Sequence, residues 1–394
     1  MKEEIFIEQP EGFNDGSGRV GKLNKSMYGL KQASKDWYDE ITQFLESLGF
    51  QSTDDDPCIL YNKDKSIIII LFVDDGCIVC KDESEILKIL EKLSNRFEIT
   101  YKKEITNKFT YLGMEVEVKK NKIYVGQSNY IRKILREFDF EDANPASTPM
   151  EPRMLTNEEN FCNNYALDIN MPYRQAVGSF LYLSTISRPD ISFVVNFLSR
   201  FKNKPLESHW KVIKRVFQYL KSTIDYRISF NGDTRLLAYS DADYGGDLKT
   251  RRSTTGVLIV RGGPIVWTTK LQHVVATSTA EAEYRAAVLS IDELCWVRRI
   301  CKELGLDDMD KPVELNVDNT SAILMLENVR DGKITNGKKH VDTSRKFIQQ
   351  HIGKTVKLKH VPSHIQLADI LTKPLGHNNF DRLRCKIIQE GVLN

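Results

Sequence analysis

The sequence lacks the features that mark secreted and membrane proteins. No stretch approaches the roughly 18 to 20 uncharged apolar residues that a membrane helix needs, and the acidic start MKEEIFIEQPEGF has no apolar core of a signal peptide. The seven cysteines form no pair of CxxC motifs, which argues against both a zinc site and a disulfide framework. We therefore expect reduced thiols and a cytoplasmic or nuclear protein that makes no contact with membranes.

An excess of either charge is also missing. The 394 residues include 56 basic and 54 acidic side chains, for a net charge of +2, so any affinity for nucleic acid has to come from local patches. The hydrophobic content of 41% and the charged content of 28% are ordinary for a globular protein. The length is sufficient for two or three domains with cores of their own.

The first part of the chain predicts a mixed helix and strand unit. SKDWYDEITQFLESLGF has helical spacing over residues 34–48, with Gly49 where a C-terminal cap belongs. A strand, turn and strand around ILFVDDGCIV, a helix over ESEILKILEKLSNRF and a hairpin in FTYLGMEVEVKKNKIYVGQ follow. Together these patterns predict one α+β unit with an antiparallel sheet that ends near residue 140.

Two consecutive carboxylates, Asp74 and Asp75, separate two apolar runs in that unit. Asp and Gly are ordinary turn residues, so the pair can be the solvent-facing tip of a hairpin. Two carboxylates at a rigid turn can also bring divalent cations to a phosphate. The local sequence leaves both interpretations open.

The middle of the chain changes character twice. Residues 143–172 contain clustered prolines and no periodicity, which indicates a linker or a long surface loop. Residues 173–223 are helical in pattern, with a break at Arg188–Pro189. His209 and Trp210 lie in the basic segment ESHWKVIKRVFQYLK, where they either touch a nucleic-acid backbone or belong to the core beneath a solvated face; the pattern favours the second.

From about Arg235 a third unit begins. RLLAYS is a strand, TTGVLIVRGGPIVWTT is a hairpin, and TAEAEYRAAVLSIDELCWVRRICKEL is a long helix with Ser278 or Thr279 as its cap. VELNVD is a further strand that leads into the short helix NTSAILMLE. Three antiparallel strands followed by alternating helices and strands predict a mixed α/β sheet.

Four acidic residues occupy the ends of these elements: Asp241 after the first strand, Glu283 in the first turns of the long helix, Asp318 after VELNV, and Asp369 where a final helix begins. Carboxylates at such positions converge on one edge of a mixed sheet, where they repel one another unless cations lie between them. Four oxygen ligands suit two Mg²⁺ ions acting on a phosphodiester. Taken singly, Asp318 could be a helix N-cap and Glu283 a first-turn acid facing the helix dipole.

The third unit contains five longer motifs, which are, in order, LAYSDADYGGDLKTRRSTTG, TSTAEAEYRA, LNVDNTSAI, KHVDTSRKFI and HVPSHIQLADILTKPL. In this order they resemble the ribonuclease H domain of copia-type retrotransposon polyproteins. Upstream, KLNKSMYGLKQASKDWY, LFVDDGCIV and YLGMEVEV resemble the second half of the same family's reverse transcriptase. The resemblance covers nearly the whole chain.

The resemblance implies an α+β and α/β fold with an incomplete reverse-transcriptase palm and thumb, a helical connection and a ribonuclease H-like mixed sheet flanked by helices. The expected parts are residues 1–142 for the truncated reverse transcriptase, 143–234 for the linker and helical connection, 235–376 for the ribonuclease H-like domain and 377–394 for a C-terminal helix.

The resemblance also assigns roles to individual residues. In the ribonuclease H part it implies four metal-binding acids, Asp241, Glu283, Asp318 and Asp369, and a mobile histidine, His364, that assists proton transfer or product release. In the reverse-transcriptase part it implies a pair of metal-binding palm aspartates, Asp74 and Asp75, and a segment that lines the incoming nucleotide, Gln32 with Tyr28 and Lys31. It also implies a hairpin that grips the primer end, from Tyr111 to Glu115. Arg251, Arg252, Lys338 and Lys339 are candidate phosphate contacts, although solvated surface charge explains each equally well.

One expected residue is missing from the sequence as given. Polymerases of this class use a third aspartate on an earlier palm strand, which the family places before the segment that resembles EEIFIEQPEGF. We therefore expect this polypeptide not to polymerise DNA on a template-primer, since metal placement carries much of the rate. The four acids and His364 predict cleavage of RNA in an RNA·DNA hybrid with Mg²⁺ or Mn²⁺.

Three alternatives stay open at this point. The chain can be a non-catalytic relic that binds nucleic acid or nothing, or a piece of a longer polyprotein whose palm is completed upstream. Integrase or transposase chemistry uses a related sheet with three acids, but the zinc-binding spacing that often accompanies it is not visible in the sequence.

Overall fold

A computed structural model describes residues 3–101, 107–156, 165–306, 311–332 and 346–390 of the chain. The chain forms two compact units: residues 1–105 with 303–306, and residues 106–302 with 307–394. The predicted division into four parts uses other limits and stays a prediction. Within the described ranges, no helix is both long and apolar enough to cross a bilayer.

The helices predicted over residues 34–48, over ESEILKILEKLSNRF and over TAEAEYRAAVLSIDELCWVRRICKEL are present within one residue of those limits. The C-terminal helix expected over residues 377–394 is shorter than predicted, since it ends at Ile387 and a strand follows it. The helices of the described residues are α1 (Ala33–Ser47), α2 (Glu83–Arg96), α3 (Ser128–Glu137), α4 (Arg153–Thr156), α5 (Tyr173–Ile186), α6 (Ser192–Ser199), α7 (Glu207–Ser222), α8 (Thr279–Glu303), α9 (Thr320–Arg330) and α10 (His377–Ile387). Short 3₁₀ helices cover Pro189–Ile191, Ser363–Ile365 and Leu367–Leu371.

Within the part of the chain that the structure describes, the strands form four sheets. They are β1 (Phe6–Ile7), β2 (Gly21–Lys22), β3 (Phe50–Ser52), β4 (Ile59–Asn62), β5 (Ile67–Phe72), β6 (Asp75–Cys80), β7 (Lys108–Tyr111), β8 (Met114–Lys119), β9 (Lys122–Gly126), β10 (Tyr226–Phe230), β11 (Leu236–Ala242), β12 (Thr254–Arg261), β13 (Pro264–Leu271), β14 (Val313–Val317), β15 (Val356–His360) and β16 (Gln389–Glu390).

The first unit is built on an antiparallel sheet with the order β3-β4-β5-β6. The alternate residues Ile67, Ile69 and Leu71 of β5 are buried and share a core with apolar residues of α1 and α2. This period of two is what a strand with one face on a core requires. The strand, turn and strand predicted around Asp74 are therefore present.

The single antiparallel sheet expected up to residue 140 is wrong. Strands β7, β8 and β9 belong to a separate sheet with the order β16-β10-β9-β8-β7. In it, β10 pairs with β9 through Ile228 opposite Val125, about a hundred residues away along the chain. Local patterns find the hairpins of such a sheet but not its distant strands, because pairing over that separation leaves no local signal.

The predicted mixed sheet is confirmed. Its order is β13-β12-β11-β14-β15, with antiparallel pairs from β11 to β13 and parallel pairs of β14 with β11 and β15. Strand β12 is buried on both faces, since Val257 and Ile259 join the core under α8 whereas Leu258 joins the core of the helical segment. Two covered faces explain why the middle of this strand, residues 257–260, is continuously apolar.

Helices α5, α6, α7 and α10 share one hydrophobic core with β10 and with residues of the mixed sheet and of the 3₁₀ helix Leu367–Leu371. His209 and Trp210 are buried in this region. The His209 side chain accepts the Leu206 N–H at Nδ1 (3.1 Å) and stacks on Phe201. It therefore caps the N-terminus of α7 and does not face solvent. The core interpretation of this segment is the correct one.

A buried ion pair occupies the predicted break between α5 and α6. The Arg188 guanidinium donates to Asp190 Oδ2 (2.8 Å) and to Thr223 Oγ1 (2.7 Å), and both side chains of the ion pair are fully buried. The Tyr219 hydroxyl donates to the same Asp190 oxygen. Removing one partner would leave the other charge in the core without compensation.

Replacing Arg188 with Met should lower the free energy of unfolding by about 3–5 kcal/mol, since Asp190 would lose its buried counter-ion. The double variant Arg188→Met/Asp190→Leu should recover part of this loss because no charge then remains buried. Urea unfolding followed by circular dichroism measures both. A single variant within about 1 kcal/mol of the wild type would contradict the assignment.

Candidate functional site

Three carboxylates meet at the carboxyl-terminal edge of the central strands of the mixed sheet. Asp241 lies near the end of β11, Asp318 directly follows β14, and Asp369 lies in the 3₁₀ helix Leu367–Leu371. One oxygen of each lies within 4.8 Å of the others. Because β11 and β14 are parallel neighbours, their ends fall at the same edge, which explains why residues so distant in sequence converge.

Glu283 joins this group from α8. The Ser278 hydroxyl accepts the Glu281 N–H and caps the helix, so Ser278 rather than Thr279 is the cap, and Glu283 lies in the first turns as predicted. Its carboxyl group is hydrogen-bonded to Asp241, while its Oε2 is buried without a hydrogen-bond partner. An unpartnered buried oxygen beside three other carboxylates is what a cation site requires of its ligands.

The protein compensates this concentration of negative charge in two ways. Lys373 Nζ lies 3.0 Å from Asp369 Oδ1 and 3.7 Å from Asp241 Oδ2, and the Thr372 hydroxyl donates to Asp241. Burial, and then the charge of Asp241, raise the pKa values of Glu283 and Asp369. Burial opposes the charge on Lys373, but Asp241 and Asp369 outweigh it and raise the pKa of the ammonium group.

Gln366 holds the three segments that carry these acids. Its fully buried amide donates to Ser240 O (3.0 Å) beside Asp241 and to Asn316 O (3.3 Å) two residues before Asp318, and its carbonyl accepts the Ala368 N–H. Sequence reasoning missed Gln366, Thr372 and Lys373. A polar residue inside the apolar run HIQLADIL was the available signal for Gln366, and the spacing of four between Asp369 and Lys373 was the signal for the ion pair.

The remaining predicted residues of this unit lie around the acids. His364 is exposed in the 3₁₀ helix Ser363–Ile365, and the neighbouring Ser363 hydroxyl donates to Asp318 Oδ2 (2.8 Å). Arg251 and Arg252 lie in the loop of residues 243–253 that follows β11; Arg251 is exposed and Arg252 half-buried. Lys338 and Lys339 lie outside the described residues.

The other predicted aspartates lie at the tip of a hairpin in the first unit. Strands β5 and β6 are joined by a two-residue turn, Val73 and Asp74, and Asp75 opens β6 opposite Phe72. Val73 has φ of 51°, a conformation that is costly for a β-branched residue. Trp37 of α1 donates its indole N–H to Val73 O (2.8 Å) and fixes the turn, which leaves both carboxylates exposed.

A cavity of about 910 Å³ in the same unit includes Tyr28, Trp37 and Asp74 in its lining. A hydrogen bond to Asp74 raises the pKa of the exposed Tyr28 hydroxyl. Lys31 and Gln32 precede α1 but are not part of this lining. The structure thus brings Tyr28, but neither Lys31 nor Gln32, to the cavity beside the paired aspartates.

Comparisons with known proteins identify what the sequence is similar to. A family model described as reverse transcriptase (RNA-dependent DNA polymerase) matches residues 1–152. The retrovirus-related Pol polyprotein from transposon TNT 1-94 of Nicotiana tabacum is 36% identical over 97% of this chain. The chain belongs to the family of copia-type retrotransposon Pol polyproteins.

A second Pol polyprotein of this family, from transposon RE1 of Arabidopsis thaliana, is 34% identical over 98% of the chain. The chain spans 29% of the length of the TNT 1-94 protein and 26% of the RE1 protein. Among solved structures, LC11-RNase H1 in complex with an RNA/DNA hybrid is 17% identical, with a TM-score of 0.26, over 35% of this chain and 94% of that one.

Added Mg²⁺ should raise the thermal denaturation temperature of the protein, and more so at higher pH. A carboxyl group whose pKa is higher in the folded than in the unfolded protein stabilises the fold as long as it is protonated. This stabilisation is lost as the pH rises through the pKa of the folded state, which is about 7 for Asp369. Cations bind the deprotonated forms, so they reverse this loss.

Differential scanning fluorimetry with and without about 10 mM MgCl₂, at about pH 6 and about pH 8.5, measures the effect. Asp292→Asn, on the exposed face of α8, is the matched control and should retain the increase. An equal increase in Asp241→Asn and in the wild type would show that the cation binds elsewhere.

Proposed function

We propose that residues 235–376 hydrolyse the RNA strand of RNA·DNA hybrids with Mg²⁺ or Mn²⁺. The observation that carries this proposal is the convergence of Asp241, Asp318 and Asp369 within 4.8 Å, with the unpartnered Glu283 oxygen beside them. Buried carboxylates at such distances destabilise the fold unless protons or cations neutralise them. Family membership supports a role in nucleic-acid processing for the same residues.

The chain's own residues would divide the work as follows. Asp241, Glu283, Asp318 and Asp369 would hold two divalent cations, and Lys373 and Thr372 would orient Asp369 and Asp241. Bound there, the cations would supply Lewis-acid stabilisation of the charge that develops on the phosphodiester. His364, which is exposed beside the Ser363 that donates to Asp318, would take or give a proton at the rim of the site.

Recognition of the hybrid would depend on its shape and backbone. The 2′-hydroxyl groups distinguish the RNA strand from the DNA strand without base reading. Arg251 and Arg252 would contact phosphates, since they follow the strand that carries Asp241. Such contacts would make binding weaken steeply with salt.

For the first unit we propose that this polypeptide alone does not extend a primer. Family membership supports a reverse-transcriptase origin for the hairpin that carries Asp74 and Asp75. Among the described residues, however, no further His, Cys, Asp or Glu joins these two in a group close enough to share a metal ion. A pair of exposed carboxylates is a weaker cation site than the group of four in the second unit.

Replacing Asp318 with Asn should reduce the rate of hybrid cleavage about 100-fold or more, because a neutral amide is a poorer cation ligand and transition-state charge loses its stabilisation. Cleavage of a 5′-labelled RNA in a hybrid with MgCl₂ measures the rate, with Asp292→Asn as the exposed control. If the Asp318→Asn protein, purified beside the wild type, retained full activity, the assignment of the metal ligands would be wrong.

Primer extension on an RNA template, performed with the same preparation, should give no product, whereas hybrid cleavage should be measurable. This pair of results would establish hydrolysis without polymerisation by this polypeptide. Extension would refute the second proposal. Absence of both activities in a folded, Mg²⁺-binding protein would favour the non-catalytic relic.

A further inference from the structure

The loop of residues 243–253, called the basic loop below, leaves the mixed sheet two residues after Asp241. Its exposed side chains include Lys249 and Arg251. At its base, Gly245 donates its N–H to the Ser253 hydroxyl (3.1 Å), and the Tyr244 hydroxyl donates to Thr277 O (3.3 Å) just before α8. The basic loop is thus closed at its base and tied to the segment that leads into α8, the helix that carries Glu283.

Arg200, at the end of α6, reaches the middle of this loop from outside residues 235–376. Its guanidinium donates to Asp247 Oδ2 (3.0 Å) and to the Thr254 hydroxyl (3.2 Å), and it is itself oriented by Asn196 Oδ1 (2.8 Å). The Arg200 and Asp247 side chains are only 16% and 12% exposed. Burial and several partners distinguish this ion pair from the exposed pairs that contribute little.

Asp247 connects Arg200 to the part of the loop that carries the basic side chains. Its second oxygen accepts both the N–H and the hydroxyl of Thr250 (2.7 Å each). Its backbone carbonyl accepts the Arg251 N–H (2.7 Å), and its N–H donates to Arg252 O (3.1 Å). The turn that carries Lys249, Arg251 and Arg252 is therefore built around the one carboxylate that Arg200 holds.

Helix α6 also contacts the mixed sheet through groups other than this ion pair. Phe193, Val194 and Leu198 are buried in the shared core, and Asn196 Nδ2 donates to Thr269 O of β13 (3.0 Å). Removing the guanidinium should accordingly leave the helix in place and release the loop. If the basic side chains of a loop become ordered only on binding, the entropy lost in ordering them lowers the affinity.

We propose that Arg200 is a positioning residue for nucleic-acid binding: through Asp247 it fixes the basic loop so that Lys249, Arg251 and Arg252 meet the phosphates of a hybrid bound at the carboxylates. This inference rests on the proposed function. It assigns the helical segment before the mixed sheet a part in holding the substrate and leaves the binding of cations to the four carboxylates.

The test compares Arg200→Met and Asp247→Asn with Arg174→Met. Arg174 is exposed and donates to Lys202 O near the same helix end, without contact to the basic loop, so its variant removes one charge from the same region. Binding of a fluorescent RNA·DNA hybrid is measured by anisotropy with CaCl₂ in place of MgCl₂, at several salt concentrations. Cleavage kinetics are then measured with MgCl₂.

Both loop-anchor variants should raise the Kd and the KM about 3- to 10-fold and reduce the slope of log Kd against log salt by about one, while kcat stays within about two-fold. Arg174→Met should bind as the wild type does. The increase in denaturation temperature with Mg²⁺ should be unchanged in all three variants, since none of the four carboxylates is altered.

If Arg200→Met and Asp247→Asn bind the hybrid with the affinity and salt slope of Arg174→Met, the inference is overturned and the ion pair is only structural. Loss of the Mg²⁺ effect in these variants would also overturn it, because Arg200 would then act on the carboxylates. If Arg200→Met does not fold, Asp247→Asn decides alone. A wild type that binds no hybrid would refute the proposed function before any variant is compared.

Discussion

The second unit is organised around the mutual repulsion of carboxylates that the fold brings together. Asp241, Glu283, Asp318 and Asp369 come from a strand, a helix, a strand end and a 3₁₀ helix, and no short segment could place them within reach of one another. The protein tolerates them because Lys373 and the Thr372 hydroxyl offset their charge, because burial and the neighbouring charge of Asp241 raise the pKa values of Glu283 and Asp369, and because Gln366 fixes the three segments through backbone carbonyls. A rigid, partly neutralised group of this kind favours cation binding, since the cost of assembling the ligands is met during folding.

The mixed sheet that carries these acids is covered on both faces. One face packs under α8, and the other packs against α6 and the 3₁₀ helix that carries Asp369, within the core shared by α5, α7 and α10. The position of the last acid thus depends on contacts with residues 189–199, a segment that precedes the sheet by about forty residues in the chain. The buried ion pair of Arg188 and Asp190 lies at the turn between α5 and α6. The direction of α6, which packs on the sheet, therefore depends on a charged pair in the core.

The hairpin of the first unit presents a different physical case. Its two aspartates are exposed at a turn in which Val73 adopts a positive φ, held by the Trp37 indole, and Tyr28 is the polar neighbour that the structure brings to Asp74. Strain at such a position is maintained only when the surroundings determine it, here through one long-range hydrogen bond and the apolar pairing of β5 with β6. The carboxylates are therefore rigidly placed without being desolvated, in contrast to those of the second unit.

Sequence patterns alone determined the elements and the identity of the acids. The period of two in β5, the cap of α8 near Ser278, the break at Arg188 and the positions of the four carboxylates at element ends follow from local chemistry, which the sequence contains in full. Three matters were decided only by the tertiary structure: the assignment of β7 to β9 to a sheet with β10 and β16, the convergence of Gln366 and Lys373 on the acids, and the reach of Arg200 to Asp247. Each depends on partners that lie tens of residues apart in the chain, or on the direction in which a side chain points. Loop entropy and packing select such pairings, and a local sequence pattern does not reveal them.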